Sequence, residues 1–152
     1  MSHIINFSSV AGLVSAPGFG IYNATKYALE GLSEALNYEV RGLGIKVTLI
    51  EPGAFRTNFL DDSLVMAKNK IADYDTTAGK TRINLLGNNG KQGGNPDRAV
   101  EEVVKLVAME NPPLRLLLGE DAYKRATNKL KDLEVEFEQM KTISLSTGYE
   151  IV

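Results

Sequence analysis

The order of apolar segments in the first 51 residues constrains the fold of this chain more than any other feature. A short β-branched and aromatic segment, residues 3–8, runs into a stretch of small residues, which is typical of a buried strand that ends in a loop. Residues 46–51 form a second segment, apolar at alternate positions and ended by a Pro-Gly pair. A segment with helical periodicity lies between them. Strand, helix, strand in this order predicts two parallel strands joined by a right-handed crossover, and hence an α/β fold.

The connecting helix is predicted from about Tyr22 to Arg41. Apolar or small residues recur there at intervals of three and four, at Ala24, Ala28, Leu32, Ala35, Leu36 and Val40. Gly42 and Gly44 follow as a stop signal.

The rest of the chain predicts a third strand between two further helices. Asn95 can cap a helix with Pro96 in its first turn, and Val100, Val103, Val104 and Val107 make one apolar face of it. Residues 114–119 form an apolar strand, and the segment from Asp121 to about Ile143 is predicted to be helical. We therefore expect a single domain over residues 1–152, with about three strands and flanking helices.

Residues 58–95 are predicted to be irregular. The segment is polar and rich in glycine, especially over residues 87–94. Ordering such a segment costs conformational entropy, and long irregular segments within compact domains often serve as lids over a binding site. We expect a substrate-binding lid here, with a plain linker as the alternative.

Composition excludes several classes of function. The 17 basic and 19 acidic side chains give a formal charge of -2, which offers no strong field to attract nucleic acid or an anionic membrane. There is no cysteine, and His3 is the single histidine, so neither disulfides nor a metal site is expected. No apolar stretch approaches the roughly 18 residues of a membrane span, and no signal peptide is recognisable. We therefore expect a cytoplasmic protein that acts on a small molecule.

Polar side chains of a candidate site are predicted to share one edge of the sheet. Tyr22 and Lys26 stand four residues apart at the start of the helix, on one face and within mutual reach. Ser9 follows the first strand, and residues 52–57 follow the second. Open α/β sheets bind ligands at these carboxyl ends of their strands. The alternative is a tyrosine packed beside a solvated lysine, with a plain Pro-Gly turn after the second strand.

Three runs of residues resemble, in order and spacing, signatures of the short-chain dehydrogenase/reductase family. They are Ile4-Ile5-Asn6-Phe7-Ser8-Ser9-Val10-Ala11-Gly12, Tyr22-Asn23-Ala24-Thr25-Lys26-Tyr27-Ala28 and Pro52-Gly53-Ala54-Phe55-Arg56-Thr57. The likeness continues through residues 112–119. It implies the C-terminal half of a Rossmann-type, doubly wound parallel sheet. The implied activity is an oxidoreductase that interconverts an alcohol and a carbonyl with NAD or NADP, and the dinucleotide and the substrate are left open.

The resemblance also implies catalytic roles. Tyr22 would give a proton to the substrate oxygen or take one from it, and Lys26 would favour the phenolate form of Tyr22 by its charge. Ser9 would hydrogen-bond the same oxygen, with Ser8 as its rival.

Cofactor contacts are implied for two groups of residues. Tyr22 and Lys26 would lie against the nicotinamide end, with Lys26 holding the ribose hydroxyls. In the segment after the second strand, Gly53 would let the backbone approach the nicotinamide, Phe55 would meet the carboxamide through its backbone, and Thr57 would reach the carboxamide or a phosphate. Pro52 belongs to the same implied contact.

Two features of the family have no counterpart here. Its Gly-rich turn cradles the pyrophosphate after a strand, whereas the glycines of residues 87–94 follow no predicted strand. The asparagine motif that precedes the catalytic serine is also missing. We therefore expect a truncated gene product, an engineered fragment or a partial reading frame, with no useful dehydrogenase activity alone.

Two other functions stay open from the sequence. The chain could be a non-catalytic remnant that acts as an interaction module through bared sheet edge and apolar surface, including as a homo-oligomer. It could also be a sugar-nucleotide epimerase or dehydratase of the wider family, which uses the same Tyr/Lys pair.

Overall fold

The computed structural model describes residues 2–60 and 64–149. Three strands and four α-helices alternate along this part of the chain: β1 His3–Phe7, α1 Gly20–Val40, β2 Lys46–Pro52, α2 Lys80–Gly87, α3 Pro96–Val107, β3 Arg115–Leu118 and α4 Glu120–Leu145. The predicted α/β order is confirmed, with boundaries that differ by a few residues at most.

The three strands form one open parallel sheet in the order β1-β2-β3. His3 lies opposite Lys46 and Phe7 opposite Ile50, while Leu49 lies opposite Arg115. Strand β2 is buried over most of its length because it has a neighbour on each side. The predicted parallel sheet is therefore confirmed, and the carboxyl ends of all three strands meet at one edge.

Alternate side chains of β2 serve the two faces of the sheet. Ile50 packs with Leu106 of α3 and Leu118 of β3 in the hydrophobic core, where each fully buried aliphatic side chain contributes about 1.5–3 kcal/mol. On the other face, Glu51 lies 3.4 Å from the Arg115 guanidinium, which also pairs with Glu30 of α1. Helix α1 and helix α3 thus cover opposite faces.

Helix α1 buries polar residues rather than its small apolar ones. Asn23, Glu30 and Ser33 are its buried positions, whereas Leu32 of the predicted apolar series is 66% exposed. Ser33 Oγ accepts a hydrogen bond from Asn6 Nδ2 at 2.9 Å. Because long-range polar partners select the inward face, periodicity alone identified the helix but not its orientation. The predicted stop is confirmed by Gly44, whose φ of 73° suits glycine.

Helix α3 begins where the sequence predicts. Asn95 Oδ1 accepts hydrogen bonds from the backbone N–H groups of Asp97 and Arg98, at 2.9 and 3.4 Å. The predicted apolar face is present, but Val100 and Val104 on it are 62% and 64% exposed. Helix α3 therefore leaves part of an apolar surface open.

Residues 58–95 contain more regular structure than predicted. They include 3₁₀ turns at Asn58–Leu60 and Ala72–Tyr74, a π-helical turn at Asp75–Gly79, and helix α2. No residue of α2 is buried. The segment also lacks the strong apolar periodicity that marks a helix packed against a core, so the sequence did not predict it as a helix. Residues 61–63 of the predicted lid lie outside the described residues. In the described part of the chain, no helix has the length and apolar character to cross a membrane.

Candidate active site

Ser9 stands where β1 gives way to a short 3₁₀ turn, Val10–Gly12. Its Oγ accepts a hydrogen bond from Ala11 N–H at 3.1 Å and donates one to the Pro52 carbonyl at 3.4 Å. This pair of contacts holds the Ser9 hydroxyl between the ends of β1 and β2. Ser8, its rival in the sequence, is buried, and a Cβ on Gly12 would lie 2.9 Å from its Oγ. The two serines thus have different surroundings, with Ser8 close under α1.

Tyr22 and Lys26 occupy successive turns at the start of α1. Lys26 Nζ lies 5.8 Å from the centre of the Tyr22 ring and donates a hydrogen bond to the Phe7 carbonyl at 3.0 Å. The Tyr22 ring also contacts two phenyl rings, Phe19 at 6.1 Å and Phe59 at 6.0 Å between centroids. The helix therefore places the ammonium beside the phenol, within an aromatic surround.

Two residues next to the tyrosine and the lysine hold the loop after Ser9. Asn23 is buried, and its Nδ2 donates to the carbonyls of Ala11 and Val14 at 2.7 and 3.5 Å. Tyr27 Oη donates to the Leu13 carbonyl at 2.6 Å. Neither contact is predictable from the sequence, since nothing in local spacing links the helix to that loop. Both fasten the loop to α1 and so fix the cavity wall beside Tyr22.

The loop of residues 52–57 is held from two directions. Ala54 N–H donates to Asp121 Oδ2 of α4 at 2.9 Å, and Gly53 N–H donates to the Leu118 carbonyl at 2.9 Å. From the other side, Gly94 N–H donates to the Ala54 carbonyl at 3.0 Å. Sequence reasoning missed Asp121, although an acidic residue in the first turn of a predicted helix is a recognisable signal.

Gly53 has a structural requirement that the sequence did not reveal. A Cβ at this position would overlap the carboxylate of Asp121. The absence of a side chain therefore lets Asp121 approach and bind the neighbouring backbone. Gly94 has a similar requirement, because its Cβ would lie 2.6 Å from the Phe55 ring.

Most of the predicted site residues border one cavity of about 680 Å³ at the carboxyl edge of the sheet. They are Ser9, Tyr22, Pro52, Gly53, Phe55 and Thr57. Lys26 does not line the cavity and stands behind Tyr22 at the end of β1. The structure thus brings the predicted residues into one region, with Lys26 in a supporting place.

Two residues that line the cavity carry buried polar atoms without a hydrogen-bond partner among the described residues. These atoms are Ser8 Oγ and Gln92 Oε1. Lys26 Nζ uses one of its three N–H donors in the hydrogen bond to the Phe7 carbonyl, so two donors remain for a ligand. The cavity also lies within the size range of small-molecule sites. Within residues 2–60 and 64–149, no group of three acidic or histidine side chains is placed to hold a metal ion.

A partly buried charged cluster lies behind the site, between α1, β2 and β3. Arg115 pairs with Glu30 at 3.0 Å and Glu34 at 2.6 Å, and lies 3.4 Å from the fully buried Glu51. Burial, and then the adjacent Glu30 carboxyl, raise the pKa of Glu51 to about 8, against the opposing effect of Arg115. Hydrogen bonding to Arg115 lowers the pKa of Glu34. One guanidinium thus faces three carboxyl groups, and burial together with the neighbouring Glu30 favours the protonated form of Glu51.

Several known proteins that are similar to this chain are short-chain dehydrogenases or oxidoreductases. A family model described as short chain dehydrogenase matches residues 1–67. The chain is 33% identical over 146 residues to Oxidoreductase BOA17 of Botryotinia fuckeliana, covering 96% of this chain and 53% of that protein. It matches a short-chain dehydrogenase structure from Streptomyces avermitilis with a TM-score of 0.83 and 37% identity, over 97% of this chain and 52% of the other.

A more distant structural neighbour is the closed form of a serine dehydrogenase complexed with NADP+. Its TM-score is 0.55 at 26% identity, over 76% of this chain and 43% of the other. The chain spans about half the length of the proteins that it matches.

Proposed function

We propose that this chain, which belongs to the short-chain dehydrogenase/reductase family, carries the proton-transfer site of an NAD(P)-dependent oxidoreductase that interconverts an alcohol and a carbonyl. The observation that supports this most directly is the placement of Tyr22. Its ring lines the cavity with Ser9, and the Lys26 ammonium lies 5.8 Å from the ring centre.

Tyr22 is the acid/base group of this proposal. In the reducing direction its hydroxyl donates a proton to the substrate oxygen, and in the oxidising direction the phenolate takes that proton back. The ammonium of Lys26 stabilises the phenolate by its charge, and the hydrogen bond to Phe7 keeps Nζ in place for this. Ser9 orients the substrate oxygen, since its hydroxyl already lies between the two strand ends.

The cofactor is proposed to lie against residues 52–57 and Lys26. NAD(P), when bound, supplies or accepts the hydride at the substrate carbon. Support comes from the orphaned polar atoms around the cavity and from the NADP+ in the serine dehydrogenase neighbour. Lys26 would hold the ribose hydroxyls, while the backbone of Gly53 and Phe55 would meet the nicotinamide and its carboxamide. Thr57 would reach the carboxamide or a phosphate, and Asp121 keeps this loop in position.

Replacement of Tyr22 and Lys26 tests the proposed function. In a longer polypeptide that contains this chain and supplies the pyrophosphate-binding turn, Tyr22→Phe should lower ketone reduction by at least about a hundredfold, because it removes the transferable proton. Cofactor affinity should stay within a few-fold. Lys26→Met should lower kcat and raise the cofactor KM together, since one side chain has both roles.

Binding provides a readout that does not require turnover. Saturation-transfer NMR with reduced nicotinamide mononucleotide should detect contact with the wild-type chain and with Tyr22→Phe, and a weaker signal with Lys26→Met. Lys129→Met, in α4, is the matched control and should behave as wild type. A Tyr22→Phe variant that keeps more than about a tenth of the activity would remove Tyr22 from the mechanism.

A second candidate function is an interaction module, and one surface favours it. Among the described strands, β1 has a neighbour on one side only, and Val100 and Val104 of α3, which also line the cavity, are more than half exposed. An open parallel edge beside apolar surface is suited to binding a further polypeptide. This function predicts association through that surface, independent of the Tyr22 hydroxyl.

A further inference from the structure

Among the described residues, the lining of the cavity at the carboxyl edge of the sheet is uncharged with one exception. Phenyl rings and aliphatic side chains make most of its wall, among them Phe19, Phe59 and Leu85. Arg125, in the second turn of α4, contributes the one guanidinium of this described lining, which contains no carboxylate. A cation at the wall of an apolar cavity selects strongly among ligands, because its attraction for an anion is little screened there.

Few of the N–H donors of the Arg125 guanidinium are hydrogen-bonded to the described protein. Arg125 is half-buried, and among the described residues it makes one hydrogen bond, from Nη2 to the Val14 carbonyl at 3.4 Å. No carboxylate of the described residues lies within ion-pair distance of it. Asp121, one turn earlier in α4, directs its Oδ2 to Ala54 N–H instead. Four or more of the five guanidinium N–H donors therefore remain for another acceptor.

The position of Arg125 links it to the substrate end of the site. The Val14 carbonyl that it contacts also accepts from Asn23, the residue next to Tyr22. Val14 belongs to the loop that follows Ser9, and Asn23 and Tyr27 fasten this loop to α1. Arg125 is therefore anchored to the same loop that places the predicted substrate-orienting serine.

We infer that Arg125 is a specificity-determining residue, and that the cavity takes an apolar ketone or secondary alcohol that carries one anionic group, a carboxylate or a phosphate. The inference rests on the proposed function, since Tyr22 and Ser9 define where the reacting oxygen lies. The apolar wall receives the carbon chain of the substrate, and the guanidinium pairs with the anion at the far end. A planar guanidinium binds carboxylate and phosphate in a bidentate manner, which fixes orientation as well as charge.

Matched keto acid and keto ester ligands test this inference. The 152-residue chain is titrated with 7-oxooctanoate and with its methyl ester, with binding measured by saturation-transfer NMR. The acid should bind about tenfold more tightly than the ester, and Arg125→Gln should remove that difference while ester binding stays the same. Arg125→Lys should keep part of the preference because it retains the charge. Arg98→Gln, which removes an exposed guanidinium from α3, should change nothing.

Several outcomes would overturn the inference. Equal binding of acid and ester by the wild-type chain would do so, as would an acid preference that survives in Arg125→Gln. An Arg125→Gln effect confined to NADH or NADPH affinity would assign the guanidinium to the dinucleotide and also overturn it. Failure of both ligands to bind would show that the cavity does not take an apolar ketone, and would overturn the inference as well. Turnover that persists in Tyr22→Phe would instead defeat the proposed mechanism, since acid preference does not depend on the Tyr22 hydroxyl.

Discussion

Glu51 departs furthest from the ordinary chemistry of its side chain. It is fully buried, neither carboxyl oxygen has a hydrogen-bond partner in the described structure, and burial is the first cause that raises its pKa to about 8. The folded chain therefore holds a proton that the unfolded chain releases above the usual value of 4.5. Stability from this group is present at low pH and is lost as the pH rises toward the folded pKa.

Replacement of Glu51 by glutamine should flatten the dependence of stability on pH. In wild type, the free energy of unfolding should fall between about pH 5 and pH 8, because the folded state binds the extra proton over that range. Glu51→Gln keeps the shape of the protonated carboxyl and cannot ionise, so this part of the slope should disappear. Urea denaturation at pH 5.5, 7.0 and 8.5 measures the effect, with exposed Glu136→Gln as control. The same slope in Glu51→Gln and wild type would refute the buried proton.

Gly53 is the second residue with a sharp structural requirement. Gly53→Ala should destabilise the chain by about 1–3 kcal/mol, because the new methyl group meets the Asp121 carboxylate. The exchange of the Ala54 amide should accelerate as its bond to Asp121 is lost. Gly42→Ala is the matched control, since nothing lies within 4 Å of the added Cβ.

A double variant tests whether the cost of Gly53→Ala comes from the collision of its methyl group with the Asp121 carboxylate. Adding Asp121→Ala to Gly53→Ala removes the atoms that collide, so the double variant should cost less than the sum of the two single variants. Additive costs would show that the two positions do not interact.

At the scale of elements, residues 58–95 are proposed to act as a lid over the cavity. Helix α2 buries none of its residues, yet Leu85 of α2 and Phe59 line the cavity. The far end of the segment is fixed, because Arg56 Nε donates to the Gln92 carbonyl at 2.9 Å and Gly94 is bonded to residue 54. The segment thus has a tethered end and a weakly packed middle, which is the arrangement expected of a hinged lid.

Hydrogen exchange should show a gradient along this segment. Amides of residues 64–87 should exchange at least about a hundredfold faster than those of β2, because few of their groups are buried. The amides of Gly94 and Arg56 should exchange more slowly than the middle of the segment, since each is in a backbone hydrogen bond. Protection over residues 64–87 equal to that of β2 would contradict the proposed lid.

At the scale of the whole molecule, the described residues leave large apolar side chains exposed at the edge strand β1 and on one face of α3. Phe7 at the end of β1 is 60% exposed, and Val100 and Val104 of α3 are exposed to a similar degree. All three side chains also line the cavity at the carboxyl edge of the sheet. Large apolar side chains grouped in this way promote association, whereas scattered ones are ordinary on protein surfaces.

Paired substitutions on α3 should reduce that association. Val100→Ser combined with Val104→Ser should lower dye binding by anilinonaphthalene sulfonate to about half, and should shift sedimentation toward smaller species. Stability should change little because both side chains are mostly exposed. Ile83→Ser with Leu86→Ser, on α2, removes comparable exposed apolar surface elsewhere and is the control. Equal effects of the two pairs would show that the α3 face has no special part in association.

Local patterns in the sequence were enough to predict the elements, because local interactions produce them. The strand, helix, strand order, the Asn95 cap and the Gly44 stop depend on neighbouring residues alone. The closeness of Tyr22 and Lys26 follows from helical spacing in the same way.

Only the tertiary structure decided which groups meet across the chain. Glu30 and Arg115 are 85 residues apart, and Ala54 and Asp121 are 67 apart, yet each pair is within 3.0 Å. The pairing of Glu30 with Arg115 holds a polar face of α1 inward, and the contact between Asp121 and Ala54 imposes the requirement for glycine at position 53. Burial, and then the neighbouring Glu30 carboxyl, raise the pKa of Glu51. No local pattern marks such partners, because burial and long-range hydrogen bonding arise only when the sheet and its helices have packed together.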